Sequence, residues 1–289
     1  MTIATIDIGG TGIKFASLTP DGKILDKAST ATPETLEELL AWLDQRLSER
    51  DYRGIAMSVP GAVHQETGVI KGISAIPYIH GFSWYEALAH HKLPIHLEND
   101  ANCVGLSELL AHPEIENAAC VVVGTGIGGA MIINGKLHRG RHGLGGEFGY
   151  MTTIEPAEKL NNWSQLASTG NMVRYVIEKS GQTDWDGRKV YQEAAAGNAL
   201  CQEAIERMNR NLAQGLLNIQ YLIDPDVISL GGSISQNPDF IKGVQKAVDA
   251  FVDRYEEYTI APVIQACTYQ ADANLYGALV NWLQEENQW

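Results

Sequence analysis

The chain has 289 residues, 45% of them apolar, and a formal net charge of −14 at pH 7. That length suits one large domain or two ordinary ones, with apolar material enough for a substantial core. The acidic balance speaks against a nucleic-acid backbone as ligand, because counterion release needs clustered Lys and Arg, and no apolar run approaches the ~20 residues of a membrane span.

No basic region followed by an apolar stretch opens the chain, so no secretory leader is predicted. The four cysteines, Cys103, Cys120, Cys201 and Cys267, are scattered without a C-x-x-C pair. Two disulfides can be drawn among them, but this pattern predicts buried thiols in a cytoplasmic protein.

In chain order, "TIATIDIGG" (2–10) and "IKFASL" (13–18) read as strands, and the turn "TPDGK" (19–23) leads to a third, "ILDKAS". Thr32 as N-cap and Pro33 at the first helical position predict a helix, with Leu36, Leu39, Leu40, Leu43 and Leu47 on one face. "GIAMSVPG" (54–61) is a buried strand ending in a Pro-Gly turn, and "PIHLEND" (94–100) is a strand that runs into the helix "ANCVGLSELLAH". The pattern then restarts. "AACVVVGTGIGGAMII" (118–133) is strand, glycine loop and strand, and Asn134-Gly135 is a hairpin signal.

A long amphipathic helix is predicted over 198–223, then a strand "VISLGGS" (227–233), a helix capped by Asn237 and Pro238, the strand "APVIQAC" and a closing helix from "DANLYGAL". Two successive β-β-α units imply an internally duplicated α/β architecture with a cleft between halves. The expected domains are 1–113 and 114–275, with a last helix near 276–289 packing back on the first.

Three strand ends carry glycines: Gly9–Gly10, Gly124–Gly129 and Gly231–Gly232. None matches G-x-x-x-x-G-K-[ST], and "GTGIGG" is followed by a strand where a dinucleotide fingerprint requires a helix. One glycine after a strand is ordinarily a turn. Three of them, with Thr11 and Thr125 beside two, suggest loops whose amides and hydroxyls take phosphate oxygens. Asp7 just ahead of the first loop would repel a bare phosphate, so a bridging Mg²⁺ is expected there. In "ENDANC" (98–103), Asp100 stands at the start of a helix. It can cap that helix, or it can act as a general base toward a hydroxyl attacking a γ-phosphate.

With "DIGGTGIK" (7–14), "SVPGAV" (58–63), "ENDAN" (98–102), "GTGIGGA" (124–130), "GGEFGYM" (145–151), "LGGS" (230–233) and "DANLYGAL" (272–279), the chain resembles the ROK family of sugar kinases and sugar-sensing repressors. The resemblance implies two RNase H-like domains of the actin-like ATPase/hexokinase superfamily around a central cleft, with ATP and a hexose between them. It implies Asp7 near Mg²⁺; Gly9, Gly10 and Thr11 by the phosphates, with Lys14 either reaching them or only lying on a strand; and Thr125, Gly126 and Gly128 on the nucleotide side. Gly231 and Gly232 fall where the family meets adenosine. Asp100 matches the catalytic base, Asn99 a sugar contact, Glu147 a sugar-binding carboxylate, and Gly61 lies in a sugar-side motif.

The chain departs from zinc-containing members, which have E-x-G-H followed by a cysteine cluster. Here the fourth position is Tyr150, and "EPAEKLNNWSQLASTG" (155–170) has no cysteine, so no structural zinc is expected. Gln165 aligns with a family glutamate, and Tyr150 replaces an imidazole, so both are expected beside the sugar. The zinc-free pattern is closest to β-glucoside kinases and N-acetylmannosamine kinases, with glucokinase as a third option. All three would phosphorylate a 6-hydroxyl. A non-catalytic sugar-sensing regulator is the alternative; that branch carries an N-terminal DNA-binding domain, whereas the first phosphate motif here begins at residue 7. The expected partners are a small-molecule sugar and, as often in the family, a second copy in a homodimer, with neither nucleic acid nor membrane.

Overall fold

In the computed structural model, residues 2–72, 74–153, 161–254, 257 and 260–289 are described. Strands β1 (Ile3–Ile8), β2 (Gly12–Leu18) and β3 (Ile24–Ala31) form an antiparallel meander, followed by helix α1 (Leu36–Ser48). Strand β4 (Gly54–Val59) lies parallel to β1. The small hairpin β5 (Ala62–His64) and β6 (Val69–Lys71), the short helix α2 (Trp84–Ala87), strand β7 (Ile95–Asn99) and helix α3 (Asp100–Ala111) complete this part. The sheet order is β3-β2-β1-β4-β7. Strands β1 and β4 are buried at every position, which accounts for their near-continuous apolar sequence, whereas the edge strand β3 is fully buried at none.

Helix α1 starts later than its sequence suggests. Thr35 is the N-cap and accepts from Glu38 N, while Leu39, Leu43 and Leu47 supply the buried face. Thr32 does not cap it: its hydroxyl donates to Gly9 O at 2.6 Å, which ties β3 to the first glycine loop.

The second half repeats the plan. Strands β8 (Ala118–Val123), β9 (Ile127–Ile133) and β10 (Lys136–Leu137) are again antiparallel, and Asn134 and Gly135 (φ 54° and 69°) make the tight β9–β10 turn. Then come β11 (Thr152–Thr153), β12 (Asn161–Asn162), α4 (Trp163–Ala167), α5 (Thr169–Ser180), α6 (Gly187–Ala195), α7 (Ala199–Ile223), β13 (Val227–Gly231), α8 (Pro238–Val252) and β14 (Ile264–Ala266). The sheet order is β10-β9-β8-β13-β14, with β8, β13 and β14 parallel. Three antiparallel strands followed by two parallel ones, in the same order twice, make two RNase H-like α/β units. Asn198 caps α7, and Asn237 caps α8, the latter as the sequence suggests.

Helix α9 (Ala273–Glu285) returns to the first unit. It crosses α3 so closely that a Cβ on Gly277 would stand 1.7 Å from Cys103 O, and Trp282 Nε1 donates to Pro94 O at 3.3 Å. The first unit therefore comprises Met1–Glu114, Arg139–Gly145 and Ala271–Trp289, and the second Ile115–His138 and Gly146–Gln270. The returning segment begins at Ala271, ahead of residue 276. The stretch Arg139–Gly145, expected within the second domain, belongs to the first, because Arg139 is bound there by Glu98, Asn281 and Glu285. The four cysteines are buried free thiols. Among the described residues, no helix is long and apolar enough to cross a membrane.

Candidate active site

In the first unit, the turn between β1 and β2 is closed by Gly9 N donating to Gly12 O at 3.1 Å, which leaves Gly10 and Thr11 exposed. Asp7, 6% exposed, faces Lys14 on β2 and Ser58 on β4. Its Oδ2 accepts from Lys14 Nζ at 3.2 Å, and its Oδ1 accepts from Asn274 Nδ2 at 2.8 Å and from Ser58 Oγ at 3.2 Å. Lys14 also donates to Ala271 O at 2.5 Å. Both Asp7 and Lys14 are thus built into the base of the loop.

A carboxylate offers roughly four lone-pair directions, and three of those on Asp7 are taken. The donor set fits a hydrated Mg²⁺ held through water, since that ion usually keeps several waters beside phosphate oxygens.

The start of α3 is the second cluster. Asn99 is the N-cap: its Oδ1 accepts from Ala101 N (2.9 Å) and Asn102 N (3.2 Å), and its Nδ2 donates to Gly61 O (3.2 Å). Gly61 has φ +104°, so this carbonyl is presented by a turn that favours glycine. Asp100 is the first helical residue, partly exposed, at the positive end of the helix, and its Oδ1 accepts from Ala101 N at 2.8 Å. Behind it, Glu98 is 2% exposed. Glu98 Oε1 accepts from Asn99 N and Asn102 Nδ2, both at 2.8 Å, and Oε2 accepts from Arg139 Nε at 2.6 Å. Burial pushes the Cys103 thiol well above its ordinary pKa, and the charges of Glu98, Asp7 and Asp100 add to the shift. The shared effect on that thiol marks the three acids as neighbours.

In the second unit, the β8–β9 turn exposes Thr125 and Gly126. Gly124 N donates to Gly126 O at 2.9 Å, Gly170 N donates to Gly124 O at 3.2 Å, and Ile127 N donates to Ser164 Oγ at 2.8 Å. A Cβ on Gly170 would lie 2.4 Å from Thr125 O, so the start of α5 is pressed against this turn. Gly128 is paired with Val122, and Gly231 with the same residue from the other side. Gly232 follows with φ +88°, its Cα facing Val123 O. The structure therefore brings Gly124–Gly128 and Gly231–Gly232 to one end of this sheet.

Glu147 is half-buried in the loop after β10, and burial raises its carboxyl pKa. No hydrogen bond or ion pair reaches that carboxylate among the described residues, which is unusual for a half-buried acid and suits a hydroxyl-bearing ligand. Tyr150 is 72% exposed. Gln165 closes a capping box on α4: its Oε1 accepts from Asn162 N at 3.0 Å, and Asn162 Oδ1 accepts from Gln165 N at 2.9 Å. Residues 155–160 of the departing segment lie outside the described residues.

Sequence reasoning missed Thr32, Ser164 and the Glu98–Arg139 pair, all of which hold these loops from behind.

A family model described as "ROK family" matches residues 3–285. The β-glucoside kinase of Listeria monocytogenes serovar 1/2a is 34% identical over 298 aligned positions, covering 100% of this chain and 99% of that protein. Among solved structures, a ROK family protein from Streptococcus pneumoniae TIGR4, in complex with sucrose, is 88% identical with a TM-score of 0.98, covering 100% of both chains. The ROK hexokinase of Thermus thermophilus is 25% identical with a TM-score of 0.86, covering 99% of this chain and 100% of that one.

Proposed function

The chain belongs to the ROK family and is a carbohydrate kinase, and we propose that it transfers the γ-phosphate of ATP to the 6-hydroxyl of a hexose or hexose derivative (glucose, N-acetylmannosamine or a β-glucoside), with Asp100 as general base. The observation that carries this reading is the division of labour at the start of α3. Asn99 is the N-cap, so the Asp100 carboxylate stands on the first helical residue, partly exposed at the positive end of the helix. Asp100 takes the proton of the sugar O6–H as that oxygen bonds to the γ-phosphorus, and the bond from phosphorus to the bridging oxygen breaks to release ADP.

The other residues position and neutralise. Amides of the Gly9–Thr11 turn, and of the Thr125–Gly126 turn in the second unit, take phosphate oxygens, with Gly128 beside the latter. Gly231 and Gly232 serve the adenosine. Asp7 would hold Mg²⁺ through water, and the ion would offset charge on the phosphates. Glu147, Asn99 and the Gly61 turn bind sugar hydroxyls, with Tyr150 and the amide nitrogen of Gln165 as further contacts. The full-length similarity to a β-glucoside kinase supports a glucoside as the substrate class to test first.

The test is ADP release measured with glucose, N-acetylmannosamine, N-acetylglucosamine, fructose and cellobiose, together with Asp100→Asn. At least one sugar is expected to stimulate ADP release, and the variant to lose at least ~10²-fold in kcat. Stimulation by none would defeat the kinase reading; near-normal turnover in the variant would remove Asp100 as base.

A further inference from the structure

A second cluster of chemistry-bearing groups lies in the first unit on α1 and the turn after α2. His90 Nε2 is 3.0 Å and His91 Nε2 is 2.7 Å from one oxygen, Asp44 Oδ1, and the two imidazole rings are 4.1 Å apart. The histidines sit in a 3₁₀ turn, Ala89–His91, ended by Lys92 in the left-handed conformation (φ 57°). Side chains of adjacent residues in such a turn leave the axis about 120° apart. Their meeting on a carboxylate from another element is therefore a product of tertiary packing. We propose that Asp44, His90 and His91 form a binding site for one divalent transition-metal ion of the zinc, nickel or copper class.

Two imidazole nitrogens and one carboxylate oxygen suit those ions, whereas Mg²⁺ takes oxygen ligands. All three ligand atoms lie within 4.8 Å of one another. Zinc bonds of about 2.0–2.1 Å in a tetrahedron put neighbouring ligands about 3.3 Å apart. The two edges at Asp44 Oδ1, 2.7 and 3.0 Å, need only open by a few tenths of an ångström to admit the ion.

The side chains of Asp44 and His90 are 44% and 56% exposed, which gives an ion an entry path and room for water in the remaining positions. His91, at 15%, anchors the site. Protons and metal compete for the same groups, because ligation needs neutral imidazole. The bound ion would cross-link α1 to the turn after α2. The site is separate in sequence from the Tyr150 segment, where family zinc ligands are missing, and it does not depend on the kinase reading.

The experiment uses the tag-free full chain, stripped with chelator and titrated with Zn²⁺ by calorimetry above neutral pH. One equivalent per chain is expected. Asp44→Asn and His91→Ala are each expected to weaken it at least ~10-fold, while a His138→Ala/His142→Ala variant binds as before. No bound equivalent, or an undiminished one in a His90→Ala/His91→Ala variant, overturns the proposal. Electron paramagnetic resonance of the Cu²⁺-loaded wild type needs no variant to fold. Coupling to two imidazole nitrogens supports the site, and coupling to one or none refutes it.

Discussion

Arg139 Nε donates to Glu98 Oε2 at 2.6 Å, so a carboxylate that is 2% exposed takes its counter-charge from a residue 41 positions further along the chain. The other oxygen of Glu98 holds Asn99 N and the Asn102 side chain, the residues on either side of Asp100. Arg139 also reaches Asn281 and Glu285 on α9. The ion pair is therefore a strut behind Asp100.

Removing one partner of a buried pair leaves the other uncompensated, at a cost of about 3–5 kcal/mol. Arg139 is 28% exposed, so the lower end applies to Arg139→Met, about 3 kcal/mol in denaturant unfolding. A Glu98→Leu/Arg139→Met double variant is expected to recover more than ~0.5 kcal/mol relative to the sum of the singles. Additive losses would show that the two charges do not act as a pair. Where Arg139→Lys folds, kcat is expected to fall and the sugar KM to rise, because Glu98 holds the Asn99 backbone N–H as well as the Asn102 side chain.

Asp7→Ala tests the proposed phosphate loop apart from the proposed sugar contacts. It removes the acceptor of Lys14, Ser58 and Asn274. Hydrogen bonds to charged groups contribute about 1.5–3 kcal/mol each, so kcat/KM for MgATP is expected to fall by ~10-fold or more. Equilibrium sugar binding without nucleotide is expected to be unchanged. A parallel loss of sugar affinity would mean that Asp7 supports the whole unit and has no special part in handling MgATP.

Some of this was legible and some was not, for identifiable reasons. The glycine turns and "ENDAN" stand at strand ends, and strand periodicity marks strand ends plainly. The Asp7–Lys14 pair was also within reach: a tight turn at Gly9–Gly12 sets the register Ile8↔Ile13 and hence Asp7↔Lys14. The Asn162–Gln165 capping box carried its own four-residue signature. Thr32-Pro33 misled because it satisfies a local capping rule, whereas the hydroxyl's partner, Gly9 O, is 23 positions away. Arg139 had no local signal at all. Its role depends on where a later part of the chain, α9, returns.

Glu147→Gln tests a trade between stability and binding. Burial raises the carboxyl pKa, so the folded chain holds this proton more tightly than the unfolded chain does. Stability from this source is fully present below the ordinary carboxylate range and is lost as pH rises through the raised value. At neutral pH the wild type carries a desolvated carboxylate; the glutamine variant does not. Glu147→Gln is therefore expected to melt higher at pH 7, with the difference shrinking as pH falls and vanishing below about pH 4. Its sugar KM is expected to rise ~10- to 100-fold, from the loss of charge-assisted hydrogen bonds. A lower melting point at pH 7 with unchanged KM would show that Glu147 has a structural partner instead of a ligand.

Gly277→Ala tests how tightly α9 holds α3. The added Cβ would meet Cys103 O at 1.7 Å, with Cys103 C and Cα at 2.3 and 2.6 Å. All three are backbone atoms, so no side-chain rotation relieves the clash and a helix must move. Overpacking costs about 1–3 kcal/mol, while alanine gains up to about 1 kcal/mol over glycine in helix propensity. The clash outweighs the gain, and a net loss of about 1–2 kcal/mol is expected, read as a drop of a few degrees in Tm. Gly124→Ala is the control, because its Cβ meets nothing within 4 Å and Tm is expected to hold. Cys103 lies one turn beyond Asp100, so a displaced α3 moves that carboxylate, the proposed base, as well, and kcat in Gly277→Ala is expected to fall with Tm. Full activity at a lowered Tm would mean that the helix start is anchored by Asn99 and Glu98 alone, whatever α9 does.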